Sequence, residues 1–329
     1  MSTTLNVGFV ALTDALTLIA IKRLELDLMA GAELRLKRMG SWAQLRDALL
    51  TDEIHAAHCL PGIPLLSQAD AYPHHVRLAT AFTLNHYGNA ITLGNNVFDQ
   101  IPRTLPLDEG LQQLARQRRE QGQLLTFGSV FPVSKHEFEL RHWLAQQGLQ
   151  AGTDYRLVVI PPPLAVDALH DGRVDGFCVG EPWNSVAVEA CLGKIVATSR
   201  SLGLPSTEKV LAVSQPWLES EEHAQLIQWL HEASRWLANR HNHGQALKWL
   251  SQEVKRDVRV LEPGVSGPHA VDFRASHCPD PAHALWQLQQ MQVCGNLPAL
   301  AVSEQIAQQT FRSDIYQQCT RQFALATPD

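Results

Sequence analysis

Strand-like and helix-like segments alternate along this chain, and the alternation runs through twice. In the first pass "LNVGFVA" reads as a strand, and Ala15 to Leu24 carries apolar residues at helical spacing. "AELRLKRM" alternates as a strand does, "SWAQLRDALL" reads as a helix, and "EIHAAHCL" is a short buried strand. Parallel neighbours in a sheet need a long crossover, usually a helix, so this succession predicts a parallel sheet with helices packed on it. The second helix opens with a capping box, Ser41 at the N-cap and Gln44 three residues on. In the second pass "LLTFGSV", "YRLVVI" and "RVDGFCVG" read as strands. "SKHEFELRHWLAQQGL", with a second capping box from Ser134 to Glu137, "PPLAVDALHDG" and "EPWNSVAVEACLG" read as helices.

The two passes resemble each other in detail. "DEIHAAHCLPG" and "GRVDGFCVGEP" are both short strands with a small-residue pair and an abrupt proline. A length of 329 residues suits about two domains. Between the passes lies "TAFTLNHYGNAITLG", a strand-like run broken at Gly88, and after the second pass "EKVLAVS" returns the chain. The predicted division is therefore residues 1–86 with 206–329 as one α/β lobe, carrying C-terminal helices, and 87–205 as the other. Two crossings would act as a hinge beside a cleft that closes on a small ligand. The stretch "WLESEEHAQLIQWLHEASRWLANR" is strongly amphipathic, and its Trp217, Trp229 and Trp236 read as packing residues.

Composition narrows the function. A formal net charge of −6 argues against a broad basic surface for nucleic acid. No segment offers about 18 uninterrupted apolar residues, so no membrane span is expected. The start, "MSTTLNVGFVALTD", shows no basic region, apolar core or cleavage site, and six scattered cysteines make no C-x-x-C. The expectation is a reduced, cytoplasmic protein without a secretory leader. The histidine pairs His55/His58 and His74/His75, and "ASHCPD" with Cys294 beyond it, do not form a metal-binding pattern. No nucleotide-binding, hydrolase or kinase motif stands where it would matter, and no carboxylate pair can be singled out. Neither a cofactor nor an enzymatic activity is expected.

Ligands of open α/β sheets bind beyond the carboxyl ends of the strands. Trp42 and His136 fall there, as first and second residues of capped helices. Gly180 and Glu181 fall at a strand-to-helix switch, and Lys209 just ahead of the returning strand. Helix starts present unsatisfied N–H groups and partial positive charge, which suits an anion. In "DGFCVGEPWN" the glycine permits close backbone approach, Pro182 sits inside a helix start at no cost in hydrogen bonds, and Trp183 anchors the turn. Each residue also has a plain reading: His136 as a solvated cap neighbour, Trp42 as an apolar anchor, Lys209 as a surface lysine, Glu181 as structural, Asp175 as a local cap or pair. The residues alone leave both readings open.

"SWAQLRD", "YGNAITL", "VFPVSKHEFELRHWL", "LVVIPPPLAVDAL", "DGFCVGEPWNSVAVEACLGKIVATS" and "EKVLAVS" together resemble the nitrate/bicarbonate-binding proteins of ABC uptake systems. Within that family they are most similar to leaderless nitrate-responsive sensors of the NasS type. The resemblance runs from about Val7 to past Gln215 and is weaker in the C-terminal helices. It implies a two-lobed, periplasmic-binding-protein-like fold of type II. It also implies a nitrate or nitrite site made by Trp42, Asn89, His136, Gly180 and Lys209, of which Asn89 comes from the resemblance alone. A lysine at 209 favours nitrate or nitrite over the bicarbonate branch, which differs there and recruits calcium. The chain departs from the family pattern at Asn89, one methylene shorter than the glutamine of some members, and at Lys135, where many carry threonine. Nitrate is planar, monovalent and weakly accepting, so a charge partner, several N–H donors and dry walls would hold it. The implied role is a sensor that holds an ANTAR-type RNA-binding antiterminator (NasT-like) and frees it when ligand binds, with no direct nucleic-acid contact. The alternative is the binding component of a nitrate/nitrite importer. A thiamine-pyrimidine synthase on the same fold is a third reading, and the cysteine-rich motif of those enzymes is absent.

Overall fold

A computed structural model describes residues 4–72, 76–298 and 301–324. The described residues form two compact units, the first within Met1–Tyr87, Pro205–Val258 and Val271–Asp329, the second within Gly88–Leu204 and Arg259–Ala270. The segment 259–270, which the sequence reading placed with the first lobe, thus belongs to the second unit. The chain passes between units four times rather than twice. The sequence gives little warning of this, because 259–270 lies in a helix-rich stretch without strand punctuation. One tie of the segment to its unit is His269, whose Nε2 lies 3.3 Å from Ser185 Oγ.

The first unit holds strands β1 (Thr4–Val10), β2 (Glu33–Met39), β3 (Ala56–Cys59), β4 (Leu78–His86) and β10 (Thr207–Ser214). The second holds β5 (Asn89–Gly94), β6 (Leu125–Ser129), β7 (Tyr155–Val159), β8 (Gly176–Gly180) and β9 (Gly193–Thr198). Their sheets run β2-β1-β3-β10-β4 and β7-β6-β8-β5-β9. In each, three parallel strands meet one antiparallel strand, β10 in the first and β5 in the second. The repeated grammar of the sequence is thus a repeated topology.

Central strands of such sheets are covered on both faces, which explains β3 and β8, buried at every position. Equivalent central strands carry equivalent glycines. A Cβ on Gly8 of β1 would stand 2.6 Å from Ile54 Cδ1, and one on Gly128 of β6 would stand 2.8 Å from Ile160 Cδ1. In the second unit Phe127, Leu140, Trp143, Leu144 and Tyr155 pack one core under the helix Lys135–Gln146. In the first, the helix Glu221–Ala238 buries Leu226, Ile227, Trp229, Leu230 and Leu237, and its Trp236 stacks on Trp249 at 4.8 Å. Trp229 and Trp236 pack as expected, while Trp217 lies ahead of this helix in a short turn and stacks on His55.

All six cysteines are free. Among the described residues no helix is long and apolar enough to cross a membrane, and no group of three or more His, Cys, Asp or Glu could hold a metal ion. His277 is a core histidine, stacked on Phe82 at 4.7 Å with Nδ1 2.8 Å from the Thr83 carbonyl, and burial pulls its pKa down to about 4. His74 lies outside the described residues, as does His75.

Candidate functional site

In the first unit the polar residues gather at the carboxyl ends of the parallel strands. Ser41 caps the helix Trp42–Leu50 as predicted, its Oγ accepting the Gln44 N–H at 3.2 Å, while Gln44 Oε1 accepts the Gly40 N–H at 2.8 Å. This fixes Trp42 at the first helical position, where its side chain is 1% exposed. Its indole Nε1 is buried and donates to no acceptor among the described residues. The ring lies 5.6 Å from that of His58, at the end of β3.

Lys209 lies inside β10 rather than ahead of it, opposite Asn85 of β4, and is fully buried. Its Nζ is 2.7 Å from Glu208 Oε1, 2.9 Å from Asp14 Oδ2 and 5.4 Å from the Trp42 ring centre. Asp14, in the turn after β1, also lies 2.9 Å from His58 Nε2 through its other oxygen. Burial alone would raise the Asp14 pKa, but Lys209 and His58 together hold its carboxyl well below the usual carboxylate range. Burial likewise opposes the charge of Lys209, and Asp14 and Glu208 outweigh it and push the ammonium pKa up. The expectation of one lysine set against one ligand charge therefore needs correction: Lys209 already has two carboxylate partners. An ammonium has three donors, so one N–H remains after these two contacts.

The second unit builds a matching group. Asn89 opens β5 and stands in register with Gly180, the last residue of β8. The Glu181 N–H is fixed by the Gly88 carbonyl at 2.9 Å. Ser134 caps the helix Lys135–Gln146 through the Glu137 N–H at 3.3 Å. The Glu137 side chain does not close the box but binds Ser129 and Arg141. His136 is the second residue of this helix and fully buried. Lys135, likewise buried, turns inward and pairs with Glu139 at 3.0 Å. Glu139 accepts the Asn89 amide N–H at 2.9 Å.

The Glu181–Pro182 step differs from the sequence reading. Pro182 occupies the N-cap of the helix Trp183–Glu189, not a position inside it. Glu181 is buried and takes the Ser185 hydroxyl at 2.7 Å, and burial raises its pKa to about 7. Asp175 is not a local cap: it accepts the N–H of Thr126, 49 positions away on β6, at 2.8 Å.

Trp42 and Lys209 are thus brought together in one unit, and Asn89, His136 and Gly180 share one strand-end region in the other. Sequence reasoning missed Asp14, His58, Glu208 and Glu139, and named Lys135 only as a departure. Two signals were available. A Glu-Lys pair inside a buried strand needs partners, and Lys135 and Glu139 have the i, i+4 spacing of a helical ion pair.

Two α/β units of one topology, with polar groups at the carboxyl ends of their strands, define a two-lobed protein of the periplasmic-binding-protein kind. The chain belongs to the NMT1-like family, whose model matches residues 1–251. It is 29% identical over 348 residues to the nitrate import ATP-binding protein NrtC of Synechocystis sp., covering 99% of this chain and 51% of NrtC. It is 28% identical over 347 residues to the nitrate/nitrite binding protein NrtA of Synechococcus elongatus, covering 96% of this chain and 77% of NrtA. The chain therefore spans about half the length of NrtC. The crystal structure of the periplasmic nitrate-binding protein NrtA from Synechocystis superposes with a TM-score of 0.87 at 24% identity, covering 99% of this chain and 90% of that one.

Proposed function

We propose that this chain binds nitrate or nitrite and that Trp42, Lys209, Asn89, His136 and Gly180 are its contacts. The carrying observation is the Trp42 indole N–H, buried and without an acceptor among the described residues. Buried donors are almost always satisfied, so an orphaned one on a capped helix start marks a place for an acceptor. The remaining N–H of Lys209 adds a second donor. With Asp14 and Glu208 beside that lysine, N–H dipoles and dry walls carry much of the binding. That suits a weakly hydrated monovalent anion better than a dianion. The names of the NrtA and NrtC relatives support the same ligand class.

The finer reading is a cytoplasmic sensor that sequesters an ANTAR-type antiterminator and releases it when nitrate or nitrite binds, with no chemical turnover of the ligand. It rests on the motif resemblance from "SWAQLRD" to "EKVLAVS". By linkage, the partner must weaken ligand binding by the same factor as ligand weakens the partner. The second reading, the binding component of an importer, is favoured by the names of the relatives.

Isothermal titration with nitrate, nitrite, sulfate, and bicarbonate with calcium tests the ligand. Saturable binding of nitrate or nitrite, lost in folded His136→Gln, is the expected result, and no binding to either would overturn the proposal. Ligand-dependent release of a co-expressed antiterminator separates the sensor from the importer component.

A further inference from the structure

A second polar site lies in the second unit, away from the strand ends described above. A cavity of about 680 Å³ opens at the amino ends of the parallel strands β6 and β7 and at the entry to β8. Arg118, Arg156 and Arg173 line it, with Asp175 as the one carboxylate among its lining residues. Arg118 Nη2 is 3.9 Å from that carboxylate and its other contacts are to glutamines, Gln100 at 3.2 Å and Gln123 at 3.3 Å. Arg173 pairs with the exposed Asp171 at 3.2 Å. Arg156 donates Nε to Thr126 Oγ1 at 3.0 Å and has no carboxylate partner among the described residues.

Helix ends account for two of these arginines. Arg118 closes the helix Leu107–Glu120, and Arg173 follows the helix Ala165–His170, so both offset the negative carbonyl end of a helix. The first helix also has its last carbonyls taken up by the N–H groups of Gln121, Gly122 and Gln123. Arg156 has no such explanation, because it stands on a strand. The Thr126 bond orients its guanidinium and leaves the fork of its two terminal nitrogens for another acceptor.

From this geometry we infer a binding site for a small phosphorylated ligand on the second unit. Planar guanidinium forks match phosphate oxygens two at a time. Asp175 faces Arg118 and Asp171 pairs with Arg173, so the unmatched positive charge is that of Arg156, whose fork suits a phosphate oxyanion. The volume lies in the range of small-molecule sites and exceeds what a lone phosphate fills.

The test is titration calorimetry of the full chain at low ionic strength with inorganic pyrophosphate and, separately, with AMP. One saturable, salt-weakened site is expected for at least one of them. Tighter binding of pyrophosphate would assign an inorganic ligand, and tighter binding of AMP a nucleotide. Arg156→Ala should weaken binding about tenfold or more, and Arg156→Lys, which keeps the charge but not the fork, should not restore it. The side chain is exposed, so both variants should keep the wild-type unfolding midpoint. No saturable binding of either compound, or binding unchanged in Arg156→Ala, would overturn the site.

Discussion

Lys209 Nζ lies 2.9 Å from Asp14 Oδ2 with both side chains buried, so each is the condition for the other's charge. Lys209→Met would strand Asp14 and Glu208 without their ammonium. Breaking a buried pair from one side costs about 3–5 kcal/mol, and urea unfolding should show a loss of that size. Lys209 is therefore a poor first choice for testing ligand contacts, since its loss disturbs the unit that holds it.

The same pair sets an acid limit. Asp14 has a folded pKa below its unfolded value, which is about 3.9. Its contribution is present above that value and is lost as pH falls toward the folded one. The stability difference between wild type and Asp14→Asn should stay constant from pH 6 to about pH 4 and shrink below. Unfolding at stepped pH reads it, and a difference that already shrinks between pH 6 and pH 5 would contradict the assigned shift.

Lys135 and Glu139 offer a cleaner cycle. Lys135→Met alone leaves a buried carboxylate with the Asn89 amide and should cost about 3–5 kcal/mol. Adding Glu139→Gln removes the stranded charge and keeps an acceptor for Asn89. The double variant should therefore recover most of the loss, and a double variant no better than the single one would show that the pair does not behave as a unit.

These buried pairs mark where the sequence stopped being legible. Strands, caps and the doubled topology could be read because apolar spacing and the Ser41 and Ser134 signals act over a few residues. Trp42, His136 and Gly180 were reachable from the rule that ligands sit at strand ends. Asp14 and His58 were not, because they join Lys209 only after three strands have been placed side by side in β1-β3-β10 order, whereas Glu208 is its neighbour in sequence and was legible. A chain read in line cannot show that a turn after β1 lies against β10. The return of 259–270 to the second unit was hidden for the same reason. It depends on His269 meeting Ser185, a contact 84 positions apart.

The cap at Ser41 should be worth about 1 kcal/mol, as N-cap serines generally are. Ser41→Ala removes the acceptor of the Gln44 N–H, while Ser41→Asp restores one and adds a favourable charge at the helix start. Thermal unfolding should rank Asp and Ser above Ala, and equal midpoints for all three would show that packing of Trp42, not the cap, holds this turn.

Glu181 gives the opposite pH sign to Asp14. Burial is the largest influence on it and raises its pKa to about 7, against the hydrogen bonds of Ser185 and Asn184 that favour the charged form. The unfolded value is near 4.3. Below that pH both states hold the proton. Between about pH 4 and pH 7 the folded chain keeps a proton that the unfolded chain has released, so stability falls as pH rises and levels off above about 7. His269 Nε2 lies 3.5 Å from Glu181 Oε1, and burial lowers the histidine's pKa, so the two do not face each other as a charged pair through most of this window. Glu181→Gln keeps the shape and holds no titrating proton. Wild type should therefore be more stable relative to Glu181→Gln at pH 5 than at pH 8, as read by urea unfolding at both. Equal differences at the two pH values, or the reverse order, would show that the folded chain does not hold the Glu181 proton.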